Sequence, residues 1–513
     1  MLSLLAAALS LSTCIAAGRD AASQAVRTYP VSVQAQVKVL SPPMASELRG
    51  YDCRSDASLE KLKAGQVLSA SRANVRIYAS GGDCLFQQGA RYRVSGQLSV
   101  SRFGRARLQL ALPKATTSTS KLARLSSRDH PQPSVVRLLE GPNVVHRAIG
   151  RMQSDFLQVT RQLSDQGRVL VPGLTLGVLG QESFLPAAAD GTSGDAIVPA
   201  YASGLKDNFK RAGIMHLMAV SGSHFLLLGT LIGKLLRAVK APRSVHSVCL
   251  LLAYTALAMA MYPSDSVLRA QVMGMLSALS LLVGRRRQSV SALAWTSIGV
   301  LFYKPEMAVS FGFALSCAAV LAITIGAEPL SRLLGDHMPA CLAAPLAMTV
   351  LAQAGTLPIQ VLMSAQLPLF SPVANLLVSP FVDIATICGL LALVSAWVCP
   401  GLALCFSRLS SIGTGVMELT ANQLGGPQSS VLPWPPGLFG ALAVVVWQVA
   451  AVLLVLSAQR ARQRLLFSRD PALDPDLVKA GLGLDGELYR PSLWSRACAY
   501  WQSIRSLLPS PGA

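Results

Sequence analysis

Charge is scarce in this chain of 513 residues: Asp, Glu, Lys and Arg make up only 14% of it. A soluble domain carries nearer a quarter, so a soluble globular protein is a poor description. Acid is scarcer still, with 25 Asp and Glu against 45 Lys and Arg. The six histidines (His130, His146, His216, His224, His246 and His337) are scattered. There is no H-x-H-x-D-H, no H-E-x-x-H and no C-x-x-C, which argues against a hydrolytic zinc site. There is no G-x-x-x-x-G-K-[ST] phosphate loop, which argues against an ATPase. These absences predict a protein that is not an enzyme and that uses no metal or cofactor.

What is present is apolar. Hydrophobic residues make up 52% of the chain and mean hydropathy is +0.46. Several windows run about 18 residues or more without a charge, enough to cross roughly 30 Å of hydrocarbon. The fold class expected is a polytopic α-helical membrane protein with one long polar insertion near its start. The net charge of +20 has two readings. Lys and Arg gather in cytoplasmic loops, or they meet a polyanion such as nucleic acid or anionic lipid.

Residues 1–17 (MLSLLAAALSLSTCIAA) read as a short N-terminal membrane anchor; without a basic n-region they are a poor cleaved signal. Residues 18–130 change character. VSVQAQVKVL (31–40), ARYRVSGQLSV (90–100) and RARLQLAL (105–112) alternate apolar and polar residues, the period of half-buried strands. Four or five such strands in about a hundred residues predict a small OB-like β-barrel. Arg72, Arg76, Arg91, Arg93, Arg102, Arg105 and Arg107 give it a basic face. Arg91, Arg93, Arg105 and Arg107 are the candidate DNA contacts, because such a face suits a nucleic-acid backbone; an ordinary solvated face is the alternative. Of the ten cysteines, Cys53 and Cys84 are the two in this polar region. They pair if it faces an oxidising compartment; otherwise they are free thiols on adjacent strands.

Residues 131–168 are expected to hold a linker and an amphipathic helix on the membrane surface, with helical periodicity from 134 to 166. Residues 169–458 form the membrane domain, and 459–513 a basic cytoplasmic tail. Eight spans are predicted: 213–236, 244–262, 266–284, 289–303, 307–326, 340–363, 370–398 and 436–457. Arg237, Lys240 and Arg243, then Arg285, Arg286 and Arg287, then Arg460, Arg462 and Arg464 mark the cytoplasmic side, which leaves the barrel outside. Eight spans entered from outside end outside, yet the tail is basic. One segment is therefore re-entrant, broken or uncounted, with 169–180, the stretches around Pro345, Pro358 and Pro372, and 402–424 as candidates. Broken backbone at membrane depth lines a wet cavity or is buried in protein.

The stretch GIMHLMAVSGSHFLLLG (213–229) carries polar residues inside an apolar run. His216 and His224, eight apart, would share a helix face only loosely. Ser221 and Gly222 between them suit a tight helix crossing, or a broken helix aiming N–H groups at an anion.

This stretch resembles the H-L-L-A-V-S-G-L-H hallmark of the competence (ComEC-type) DNA-internalisation family. KDNFKRAG (206–213) is similar to the basic helix before that hallmark. PSDSVLRAQVMGMLSALSLLVGRR (263–286), MAVSFGFALSCAAVLAI (307–323) and LPLFSPVANLLVSPFVDI (367–384) resemble its later blocks, in order. Ser223 replaces an apolar hallmark residue, and Asp265-Ser266 respace the P-S and R-A parts. The resemblance implies transport of single-stranded DNA across the bacterial cytoplasmic membrane in natural transformation. His216, Ser221, Gly222, His224, Arg269, Asn375 and Pro380 then belong to the channel motif: Arg269 as a lining charge, Asn375 and Pro380 flanking a helix break. Implied partners are single-stranded DNA, membrane lipid, a DNA-receptor protein, a cytosolic ATP-driven motor and, with no metallo-β-lactamase-like domain expected at the C-terminus, a separate nuclease; homo-oligomerisation is left open. The alternatives are a secondary transporter or lipid-handling membrane protein, which should show an internal repeat, and a membrane-embedded hydrolase using Ser221 or His216.

Overall fold

The computed structural model describes residue 11 and residues 31–64, 67–70, 73–100, 108–113, 136–183, 198–218, 220–284, 288–335, 338–427 and 430–469. The rest of the expected anchor, the stretch 114–132, Arg72, Arg102, Arg105, Arg107, Arg285–Arg287 and the tail beyond 469 lie outside those residues.

The polar region folds through strands β1 (Val31–Val39), β2 (Met44–Ala45), β3 (Cys53–Ala64), β4 (Val67–Ala70), β5 (Asn74–Ala79), β6 (Arg91–Val100), β7 (Leu108–Ala111) and β8 (Val136–Glu140). Five of them close into a barrel in the order β1-β3-β5-β7-β6, with β1 also pairing β6. β5 and β7 run parallel and the other barrel pairs antiparallel. This is the OB-type barrel that the alternation predicts. Val33, Ala35, Val37 and Val39 of β1 point inward to Ile77, Val94, Leu98 and Leu110, all buried. Full burial of each large aliphatic side chain contributes about 1.5–3 kcal/mol. Cys53, at the start of β3, and Cys84, in the short turn Gly81–Cys84, form a disulfide with Cα atoms 5.9 Å apart. β2 and β4 pair β3, and β8 pairs β6 as an added strand.

β8 corrects the expectation of helix from 134 onward. Val136–Glu140 is a strand, and helix begins only after Gly141-Pro142, at α1 (Val144–Thr160). Valines 135 and 136 and leucines 138 and 139 fit either period, and the Gly-Pro pair decides the boundary. The helices that follow are α2 (Asp165–Leu176), α3 (Pro199–Arg211), α4 (Gly222–Ala238), α5 (Arg243–Ala260), α6 (Asp265–Leu282), α7 (Ser289–Tyr303), α8 (Phe311–Gly335), α9 (Ala340–Met363), α10 (Ser371–Ser395), α11 (Pro400–Gly425) and α12 (Gly437–Arg469).

Among the described residues, five segments are long and apolar enough to cross a membrane: Arg243–Ala260, Phe311–Gly335, Leu342–Met363, Ser371–Ser395 and Gly437–Leu454. All eight predicted spans overlap helices, and α4, α6 and α7 are the three that fall short of that length or hydropathy. α4 has 17 residues and α7 has 15, about 26 and 23 Å at 1.5 Å per residue. α11 is the long element that the span count missed. Its 26 residues bury Ser407, Ser410, Thr414 and Thr420, and that polar content hid it from an apolar scan.

Contacts divide the chain into two compact units, residues 1–317 with 373–430, and residues 318–372 with 431–513. In the second, α9 packs on α12 through Leu357, Val361 and Val444, and Gln448 Nε2 donates to Ala354 O at 2.9 Å. A ribbon of β9 (Gln366–Pro368) and β10 (Val431–Pro433) closes that packing. In the first, α5 and α6 form a hairpin tied by Ser247 Oγ donating to Ala278 O at 2.7 Å. At one end of this hairpin Arg243 approaches Gly284. At the other end, Asp265 accepts from Ser310, the residue before α8. The barrel meets that second end, where Asn74 Nδ2 donates to Glu306 Oε1 at 2.9 Å. The basic turn Arg237–Arg243 and the barrel therefore occupy opposite ends of the hairpin.

The expected break at Asn375 and Pro380 is not observed: α10 runs unbroken from Ser371 to Ser395 with Pro380 inside it. Proline removes one N–H, so Leu376 O loses its helical partner, but the turns on either side keep theirs. Pro345 and Pro358 likewise sit inside α9.

Candidate functional site

The polar stretch is not one helix. Met215–Met218 forms a short turn, Ser221 is extended, and α4 starts at Gly222. Of the two readings of this stretch, the broken helix is the one observed, so His216 and His224 lie on separate elements. His216 is exposed on the turn and bonds the Gly213 backbone. His224, in the first turn of α4, is buried at 2% exposure.

The bonds of His224 explain its burial. Its Nε2–H donates to Leu174 O at 2.9 Å. Its Nδ1 accepts from the Ser221 N–H at 3.4 Å. The pair of bonds selects the neutral Nε2–H tautomer. Leu174 belongs to the last turn of α2, whose carbonyls lack helical partners. α2 ends there because Gly177 takes a left-handed φ of 83°, a conformation that glycine adopts without cost. Gly177 N–H returns to Gly173 O and Tyr262 N–H takes Leu176 O, leaving Leu174 O to the imidazole. Ser221 Oγ caps α4 by accepting from Ser223 N–H at 3.3 Å and lies 2.7 Å from Ser223 Oγ. One histidine thus joins the end of α2 to the start of α4. A Cβ on Gly177 would lie 3.0 Å from Val220 Cγ2. Gly177→Ala is expected to cost about 1–2 kcal/mol from the left-handed backbone alone, read as a lower thermal midpoint of the purified protein in detergent.

Arg269 approaches the same place from α6. It is buried, at 4% exposure. Nε donates to Ser316 Oγ of α8 at 2.6 Å, and Nη1 rests 3.8 Å from Met273 Sδ. Nη2 faces Gly222, so that a Cβ there would sit 3.6 Å from it. No ion pair to Arg269 occurs among the described residues. Asp265, one turn earlier, is turned to Ser310. The respacing at Asp265-Ser266 therefore has a structural use that sequence reasoning did not see: Asp265 ties α6 to Ser310, which caps α8 by accepting from Phe313 N–H. Asn375 is buried on α10 and is bonded, and Pro380 lies one and a half turns further along.

On the barrel, the two described arginines among the candidate contacts differ. Arg91 pairs with Glu140 and with Glu60, the latter at 2.9 Å. Bonds from Glu140 and then Glu60 push its guanidinium still higher than usual. Arg93 is exposed. It lies opposite Gln36 on one side and Arg137 on the other, and Gln36 lies opposite Lys61. Lys61, Gln36, Arg93 and Arg137 form an outward row across four strands spaced about 4.8 Å apart. Lys61 and Arg137 were missed; strand register, not spacing along the chain, brings them into line.

An OB-type barrel joined to a bundle of apolar helices, with a buried guanidinium facing a helix start, defines a membrane protein with a polar interior crossing. Its family is identifiable. A family model described as Competence protein matches residues 201–460, which include Ser221, His224, Arg269 and Asn375. The chain belongs to that competence protein family. It is also 28% identical over 201 residues to ComE operon protein 3 of Bacillus subtilis (strain 168), covering 39% of this chain and 25% of that protein. The chain thus spans about a quarter of the length of that curated relative. No solved structure matches.

Proposed function

We propose that this protein carries single-stranded DNA across the bacterial cytoplasmic membrane during natural transformation. The observation that carries the reading is the competence-family match over residues 201–460. A polyanion cannot enter hydrocarbon, so its path must be wet and biased to cations. Arg269 supports such a path, being a buried cation with no carboxylate partner among the described residues. Topology supports the direction. The basic turn Arg237–Arg243 favours the cytoplasm, so the barrel at the opposite hairpin end lies outside, where the Cys53–Cys84 bond is stable. Lys61, Arg93 and Arg137 there meet the incoming strand through its phosphates. The protein acts as a multi-pass conduit and not as an enzyme. A DNA-receptor protein delivers the strand, a separate nuclease removes its complement, and a cytosolic ATP-driven motor draws it in.

Deleting the gene is expected to leave DNA bound at the cell surface while abolishing nuclease-protected internal single strands; the wild-type gene restores them. Normal entry of protected DNA in the deleted strain would sink the reading.

A further inference from the structure

We propose that Arg269 and the first turn of α4 form a binding subsite for one backbone phosphate of the translocating strand. The inference rests on the DNA-transport reading and names the contact that reading lacks.

Two independent features meet here. The first is the start of α4, a helix of 17 residues, whose first-turn N–H groups and dipole favour an anion. The hydroxyls of Ser221 and Ser223 sit beside it, and Ser223 is exposed, so the place is open on one side. The second is Arg269, 4% exposed, with Nη2 turned to Gly222. Its described bonds are to one hydroxyl and, weakly, one thioether. A buried guanidinium normally sits against a carboxylate. Asp265, spaced correctly for an ion pair on the same helix, accepts from Ser310, and no ion pair between it and Arg269 occurs among the described residues. What remains is a planar donor edge fixed from behind by Ser316 and facing the positive end of a helix.

The chemistry that completes this arrangement is a singly charged tetrahedral oxyanion. A phosphodiester fits: one oxygen takes the Nη edge of Arg269, and another takes the Gly222 N–H, which the Ser221 cap does not use, and the Ser223 hydroxyl. A single such contact is strong enough to attract the strand and weak enough to release it, as conduction requires. His224 is a positioning residue for this subsite, because its two bonds hold the α4 start in place.

The test uses the full-length protein in lipid nanodiscs and a fluorescent single-stranded oligonucleotide, with affinity followed across salt concentration. Arg269→Gln is expected to weaken binding about tenfold and to lower the salt slope by about 0.7, the value for one phosphate on a single strand. Arg269→Lys keeps the slope and loses part of the affinity, since it keeps the charge but not the planar donor edge. An oligonucleotide with an uncharged methylphosphonate backbone binds wild type and Arg269→Gln alike. Wild-type affinity and slope in Arg269→Gln would overturn the subsite and leave the transport reading intact. A slope lost equally in Arg269→Lys would mark a structural role and also overturn it. The transport reading fails separately, through normal DNA entry in the deleted strain.

Discussion

Replacing Cys53 and Cys84 together with alanine is expected to speed hydrogen exchange in the barrel a few hundredfold. The bond joins the start of β3 to the turn before β6, with 31 residues of separation. Loop-closure entropy for that length gives about 3–4 kcal/mol of stabilisation. At RT near 0.6 kcal/mol, that is a few hundredfold in the population of opened barrel. Both cysteines are fully buried among Ala57, Val75 and Ile77, and alanine leaves no polar group there. The measurement is exchange on the full-length protein, comparing β1 and β6 with α5 and α6. Barrel amides should accelerate while the α5–α6 hairpin keeps its rates, because its packing through Tyr254, Leu257 and Ala270 is separate. Unchanged barrel rates would show that β1–β6 pairing alone holds the barrel shut.

The barrel was legible because its period is two and each strand is half-buried. Val33, Ala35, Val37 and Val39 alternate with polar residues that face water, so β1 and β6 were bounded to within a residue. The order of pairing was not legible: it depends on β1 pairing two partners and on β5 meeting β7 in parallel, and neither leaves a mark along the chain. The helical region reversed this balance. Apolar content located it, but apolar content is also what α10 and α11 interpret differently. α10 carries Pro380 and stays whole; α11 carries four buried hydroxyls, so 402–424 stands in the sequence only as a candidate for the uncounted segment. Ser410, Thr414 and Thr420 are tolerated because each hydroxyl donates inside the protein, Ser410 to Ala385 O, Thr414 to Gln166 Oε1 and Thr420 to Val416 O. The site was half legible. The spacing of His216, Ser221, Gly222 and His224 marked the right stretch. That His224 would be the buried one was hidden, because its partner Leu174 is a backbone carbonyl fifty residues away, and any residue type could supply it.

His224→Leu is expected to be the most damaging single change in the helical region outside Arg269. Leucine fills a similar volume but offers neither a donor nor an acceptor. Leu174 O then loses its partner at a buried crossing, and Ser221 N–H loses a longer, half-buried bond. A buried orphaned group costs about 1–3 kcal/mol, and the Leu174 carbonyl supplies most of that cost. His224→Gln separates the two bonds: its amide N–H can still reach Leu174 O, but the cap bond at Ser221 goes. The expected order of thermal midpoint in detergent is His, then Gln, then Leu, with DNA uptake following the same order at equal protein in the membrane. Equal losses in the Gln and Leu variants would point to ring packing against α2 as the stabilising feature. An intact midpoint in His224→Leu would mean that the crossing is held without the imidazole. The ordering matters because Leu174 O and Ser221 N–H lie at the end of one helix and the start of the next. A helix that continued through either point would satisfy its own backbone and need no histidine. The chain ends α2 at Gly177 and begins α4 at Gly222, and one side chain satisfies both ends at once.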